Sequence, residues 1–267
     1  MYRNWYKFDC FEENVALDRF AYADYVLAGS KHFKERFDWE NFSKNKMCLK
    51  IYNHLKNNLK KKDTLFIGSS WGWWEYFLNK ELKVIASDVN KDYSDYHKKN
   101  TDLKYITLNI LEEDPVKSIN NKYDQVVVNS IDYLFDENQL DKSIKNLNKI
   151  VKNDGEVFVI FRSRDGLLQK IIDNFLCYLE TKIIFFLKRF KKKVFFIKSH
   201  HGFRRNLNDF IKYYEKNNFK FKSIYCDMFE DEYERLRIVK KLKIGRLLSL
   251  IFLKSHPLLN IITFKKF

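Results

Sequence analysis

The sequence predicts an α/β fold with a mostly parallel sheet buried on both faces, and three observations support this. Between residues 64 and 161, short runs rich in Val and Ile alternate with helical stretches. Strands separated by helices form βαβ units, and strands covered on both sides read as near-continuous apolar runs. Small residues follow the first run without a gap, as Gly68-Ser69-Ser70 and then Gly72. The chain has 267 residues, 45% of them hydrophobic, which suffices for the core of one large domain.

The first strand is expected over Thr64–Ile67, closed by Gly68, with a helix over 72–80. A second strand spans 83–88, followed by a polar helix near 91–99. Residues 103–108 and 123–128 give the third and fourth strands. Leu140, Ile144, Leu147 and Ile150 share one face of a helix over 138–151. Asn153-Asp154-Gly155 supplies turn chemistry before a fifth strand over 156–161. Upstream, residues 1–62 read as a helical, aromatic-rich N-terminal cap, with Val26, Phe33, Phe37, Phe42, Leu49, Leu55 and Leu59 at roughly helical spacing and a stop at Lys60-Lys61-Lys62. Downstream, the expectation is a long apolar and basic helix over 166–190, a strand-like 194–197, a helix over 206–217 and an alternating strand over 219–226. A helix over 230–254 and a closing strand over 260–264 complete the chain.

The formal net charge is +15, from 50 Lys and Arg against 35 Asp and Glu. Such a charge suits nucleic acid, anionic lipid or a phosphorylated substrate. It is spread along the whole chain, however, and its clusters at 60–62, 188–193 and 235–243 read as solvated faces. Cys10, Cys48, Cys177 and Cys226 stand far apart, without metal spacing, so no metal site is expected and four reduced thiols of a cytoplasmic protein are. The N-terminus lacks the apolar core of a signal peptide, and no apolar run is long enough for a transmembrane span.

The chemistry is expected at the first strand-to-helix junction. Gly68, Ser69, Ser70 and Gly72 leave room for a ligand to approach the backbone closely. Asp88 ends the second strand 20 residues after Gly68, where a carboxylate can accept both hydroxyls of a ribose. Its alternative role is the N-cap of the next helix. A nicotinamide-binding loop fits less well, since Trp71 and Trp73 crowd the junction and no third glycine follows.

Residues 64–161 resemble the class I S-adenosylmethionine-dependent methyltransferase family. The hydrophobic strand running into Gly68-Ser69-Ser70-Trp71-Gly72 is similar to that family's first motif in its outer glycines. Ser70 replaces the middle glycine, and Phe66 stands where the family has an acidic residue. The resemblance implies a three-layer α-β-α sandwich, with a seven-stranded, mostly parallel sheet whose last strand is antiparallel. It implies a Rossmann-like domain over 63–267 with a helical insert at about 166–199. It also implies S-adenosyl-L-methionine as cofactor, held by Gly68, Ser69, Ser70, Gly72, Asp88, Val89, Asn109, Ile110 and Asn129. In this reading Asp88 takes the ribose, Asn109-Ile110 lies near the adenine, and Asn129 lies beside the reacting methyl group.

Methyl transfer from a sulfonium is an in-line displacement, aided by a base when the acceptor is a hydroxyl or a protonated amine. Asp132, Tyr133, His200 and His201 are the candidates, with Arg204 and Arg205 beside the histidines as groups for a substrate anion. Asn129-Ser130-Ile131-Asp132 lacks the Asn-Pro-Pro-Tyr pattern of enzymes that methylate bases. The expected acceptor is therefore an O or N atom of a small molecule such as a sugar or a lipid-linked, anionic intermediate. An RNA methyltransferase and a non-catalytic S-adenosylmethionine-binding domain are the alternatives. The apolar faces over 167–190 and 246–254 suit a helix covering the site or a homodimer contact, with peripheral membrane contact as the other reading.

Overall fold

The computed structural model describes residues 3–4, 37–44, 46–60, 63–119, 121–162, 203–225 and 259–267. In chain order these form β1 (Arg3–Asn4), α1 (Trp39–Lys44), α2 (Lys46–Asn58), β2 (Thr64–Ile67), α3 (Trp73–Leu78), β3 (Val84–Asp88), α4 (Lys91–Asn100) and β4 (Lys104–Thr107). There follow β5 (Tyr123–Asn129), α5 (Glu137–Ile150), β6 (Val151–Arg162), β7 (Phe203–Arg204), α6 (Leu207–Glu215), β8 (Phe219–Tyr225) and β9 (Leu259–Lys266).

Seven strands form one sheet in the order β4-β3-β2-β5-β6-β9-β8. From β4 to β6 every pairing is parallel, while β9 runs antiparallel to both β6 and β8. This is the strand order and the antiparallel closing strand of the class I methyltransferase fold. The chain moves outward from β2 through β3 to β4, then returns to lay β5 on the other side of β2. That reversal opens a crevice at the carboxyl ends of β2 and β5.

Side chains alternate across each strand and build two apolar layers. On one face, Leu65, Ile67, Val126, Val128 and Val159 pack with Leu140, Ile144 and Leu147 of α5 and Phe210 and Tyr214 of α6. On the other, Phe66, Ala86, Val127 and Phe158 meet Phe42, Ile51 and Leu55 of α1 and α2, Phe77 of α3 and Tyr93 of α4. Burial on both faces explains why β2 and β3 carry no outward polar stripe. Helix starts follow local chemistry. Asp136 and Gln139 form a reciprocal capping box on α5, and Asn90 caps α4 by accepting the Asp92 N–H.

Two expectations are corrected. The cap is not wholly helical, because Arg3–Asn4 pairs antiparallel with Phe203–Arg204. The turn at Asn153-Asp154-Gly155 does not precede a separate strand but is an excursion inside β6. Tyr123 faces Val151 while Gln125 faces Glu156, so the intervening residues loop out, with Asp154 left-handed at φ 62°. Among the described residues, no helix is long and apolar enough to cross a membrane, and Cys48 is a buried thiol. The helices expected over 166–190 and 230–254, the strand-like 194–197, Val26, Phe33, Cys10, Cys177 and Cys226 lie outside the described residues.

Candidate functional site

The chain turns sharply as it leaves β2. Gly68, Ser70 and Gly72 all take left-handed conformations, at φ 77°, 51° and 65°. A Cβ on Gly68 would collide with Cγ2 of Ile131, and one on Gly72 would come 3.1 Å from Leu103 Cδ2. Both left-handed positions favour glycine, and at Gly68 the space demands it as well.

Ser70 adopts this backbone without being glycine, at a cost of roughly 1–2 kcal/mol. Three neighbours hold it there. Its N–H donates to Asp88 Oδ2 at 3.0 Å, its hydroxyl meets the Tyr93 hydroxyl at 3.3 Å, and its carbonyl accepts the Tyr105 hydroxyl at 2.6 Å. His97 braces the loop from behind, with Nε2 3.1 Å from the Trp71 carbonyl. A carbonyl only accepts, so Nε2 carries the proton, and Nδ1 faces Thr101 Oγ1 at 2.9 Å. The ring stacks on Tyr105 with centroids 4.9 Å apart. Burial pushes the His97 pKa down to about 4, against a weaker opposing effect from the Trp71 hydrogen bond. The imidazole is therefore a neutral structural prop. Tyr105→Phe should remove one anchor of Ser70 and lower stability by about 1 kcal/mol, measured by urea denaturation. An unchanged midpoint would show that the hydroxyl does not hold the loop.

Asp88 sits at the end of β3, 6% exposed. Besides the Ser70 contact, its Oδ1 accepts the Asn90 N–H at 3.1 Å. The N-cap role falls to Asn90, so Asp88 is free of it. Ser69 is tied to β3 by two bonds to the Ser87 backbone, and Val89 is half-buried beyond the aspartate.

Asn129 closes β5, and its Nδ2 donates to Glu75 Oε1 of α3 at 2.7 Å. Glu75 is 0% exposed and Asn129 8%. Glu75 Oε2 and Asn129 Oδ1 are both buried without a hydrogen-bond partner. Burial raises the Glu75 pKa to about 7. Hydrogen bonds from Ser69, its own backbone and Asn129 act against the rise, and repulsion from Asp88 adds to it. Sequence reasoning missed Glu75. The signal available was an acid three residues past Gly72, among aromatics that turn inward.

Asn109 Oδ1 accepts the Leu111 N–H at 3.0 Å in a local turn. Ile110 packs into the core beneath α5, and its carbonyl accepts Asn146 Nδ2 at 2.8 Å. The loop after β5 borders the glycine bend through Ile131. Asp132 in that loop is buried, with its carbonyl accepting Arg205 Nη1 at 2.9 Å, while Arg205 Nη2 reaches the Phe135 carbonyl. Arg205 is 2% exposed. The expected substrate-anion role for Arg205 is thus corrected, since its guanidinium is spent on fastening the backbone of this loop. Tyr133 lies in the same turn, but its side chain is outside the described residues, as are His200, His201 and the side chain of Arg204. The glycine bend, Asp88 and Asn129 therefore meet at one edge of the sheet, together with Glu75.

No protein-family model and no curated protein matches the chain. Its structure is similar to that of magnesium protoporphyrin IX methyltransferase from Synechocystis PCC 6803 with bound SAH, at 11% identity and TM-score 0.55, covering 94% of this chain and 100% of that one. A TehB-like SAM-dependent methyltransferase from Corynebacterium glutamicum matches at 11% identity and TM-score 0.52, with the same coverages of 94% and 100%. An S-adenosylmethionine-dependent methyltransferase from Mesorhizobium loti matches at 8% identity and TM-score 0.52, over 80% of this chain and 96% of that one. These likenesses establish the fold.

Proposed function

We propose that this protein binds S-adenosyl-L-methionine across the β2–β5 switch point and transfers its methyl group to an O or N atom of a small molecule. The observation that carries the reading is the 3.0 Å contact between Asp88 and the left-handed Ser70. It brings the acidic end of β3 against a tight bend that has glycine at both of its ends.

The residues present fit such a cofactor. Asp88 ends β3 against the bend, where a carboxylate could accept ribose hydroxyls, and glycine stands at both ends of the Gly68–Gly72 turn, where the methionine end would lie. Asn109 and Val89 would flank the adenine, and Asn129 would lie beside the sulfur. S-adenosylmethionine supplies the electrophilic methyl carbon on a sulfonium. The chain's own task is to orient the acceptor and keep water out. The loop of Asp132 and Tyr133, fastened by Arg205, is placed to form one wall. Asp132, Tyr133, His200 and His201 are the base candidates for an acceptor that must lose a proton. The structural neighbour named for magnesium protoporphyrin IX supports a small-molecule acceptor.

Calorimetry with S-adenosylmethionine should show micromolar binding, and its absence would refute the reading. Asp88→Ala should weaken affinity by about 1–3 kcal/mol through lost charge-assisted hydrogen bonds. Unchanged affinity would mean that the ribose lies elsewhere.

A further inference from the structure

The Glu75–Asn129 pair is a polar island beneath the crevice, and it has a surplus of acceptors. The single bond between them, from Asn129 Nδ2 to Glu75 Oε1, uses one acceptor and leaves Glu75 Oε2 and Asn129 Oδ1 buried without donors. A buried acceptor without a partner has lost its water and gained nothing in return, so it is costly. Natural structures seldom keep two such atoms together unless something else satisfies them. With Glu75 ionised, what both lack is a donor, and a group with several donors and a positive charge would satisfy them at once.

We infer that Glu75 and Asn129 form the seat of the α-ammonium group at the methionine end of the bound nucleoside, with Glu75 giving up a proton to solvent as that ammonium binds. The inference rests on the cofactor reading above and deepens it. It also accounts for Phe66, which stands in the β2 position where the resembling family has an acid. In this chain the carboxylate comes from α3, one turn beyond the bend.

The surroundings support a proton-coupled seat. Packed against Glu75 are the Ser69 hydroxyl from the bend, Asn129 from β5 and Asp88 from β3. Among these, Asp88 is the one charged group, and it is negative, so it disfavours a second carboxylate nearby. Without an ammonium the Glu75 pKa stands near 7, chiefly because of burial. With the ammonium in place the charged form becomes the stable one. Binding therefore converts a neutral acid into a carboxylate–ammonium pair and releases one proton to the buffer.

The test compares two nucleosides by calorimetry. S-adenosylhomocysteine carries the amino acid end, and 5′-methylthioadenosine lacks it. The affinity of wild type for S-adenosylhomocysteine should fall about tenfold from pH 7.0 to 5.5, as expected for a linked group with a pKa near 7. Methylthioadenosine should show no such slope. Heats in two buffers of different ionisation enthalpy should show proton release for the first ligand alone. Glu75→Gln is isosteric and neutral and should fold; it should lose both the slope and the proton release. Asn129→Ala should keep the slope but weaken S-adenosylhomocysteine more than methylthioadenosine. If Glu75→Gln bound both ligands as wild type does, with the slope intact, the seat would be elsewhere while the cofactor reading stood. If wild type bound neither ligand, the cofactor reading itself would fall, and the inference with it.

Discussion

Gly68→Val should destabilise the protein by about 3–5 kcal/mol, from a left-handed backbone that disfavours a β-branched residue and from overpacking. The wild-type backbone sits at φ 77°, and a Cβ there would run into Ile131. A loss of that size is a large share of the stability of an ordinary domain. Urea denaturation should show a much lower midpoint, or little folded protein to measure. The milder Gly68→Ala separates the two causes. Combined with Ile131→Ala, it should be less damaging than the sum of the single changes, because the smaller neighbour yields the space and leaves only the backbone cost. Strict additivity would show that Ile131 is not the wall that confines the bend.

Two buried groups should pull stability in opposite directions over the same pH range. Glu75 is raised from 4.5 to about 7, so the folded state binds the extra proton between those values. Its contribution is fully present below pH 4.5 and is lost as pH rises through about 7. His97 is lowered from 6.5 to about 4, so there the unfolded state binds the extra proton. Its contribution is fully present above pH 6.5 and is lost as pH falls through about 4. Each amounts to on the order of 3 kcal/mol over its full window. Between pH 4.5 and 6.5 the two slopes have opposite signs and offset one another. Glu75→Gln should remove one side of the balance. The stability difference between variant and wild type should then grow in the variant's favour as pH rises from 4.5 to 7. Parallel stability curves for the two proteins over that range would show that Glu75 is not buried as an acid.

The sequence made the sheet legible because its strands are buried on both faces, so apolar content marked them without help from long-range contacts. The bend at Gly68–Gly72 and its distance to Asp88 were equally readable, since both are set by a short stretch of chain. Features fixed by distant partners were not readable. Arg3–Asn4 carries no strand pattern and is extended only because residues 203–204 lie beside it. Glu75 stands in a run of aromatics, and its meaning comes from Asn129, which the sheet brings to it from 54 residues along the chain. Arg205 resembled a substrate-binding cation, and only the tertiary structure shows its charge turned onto the carbonyls of Asp132 and Phe135. The alternative N-cap role of Asp88 is taken by Asn90 instead, since the cap is decided by which side chain reaches the Asp92 N–H.

The place of β9 between β6 and β8 bears on how the chain assembles. Strand β8 is made first, yet among the described residues its ladder bonds run to β9, the last strand of the chain. During folding it must wait, and until then β6 presents an open ladder lined by Val157, Val159 and Ile160. Such an edge is the kind that invites pairing with another chain. The hazard of misassembly should therefore concentrate in the interval before residues 259–266 insert, and slowing that step should favour aggregates even in a protein whose finished sheet is stable.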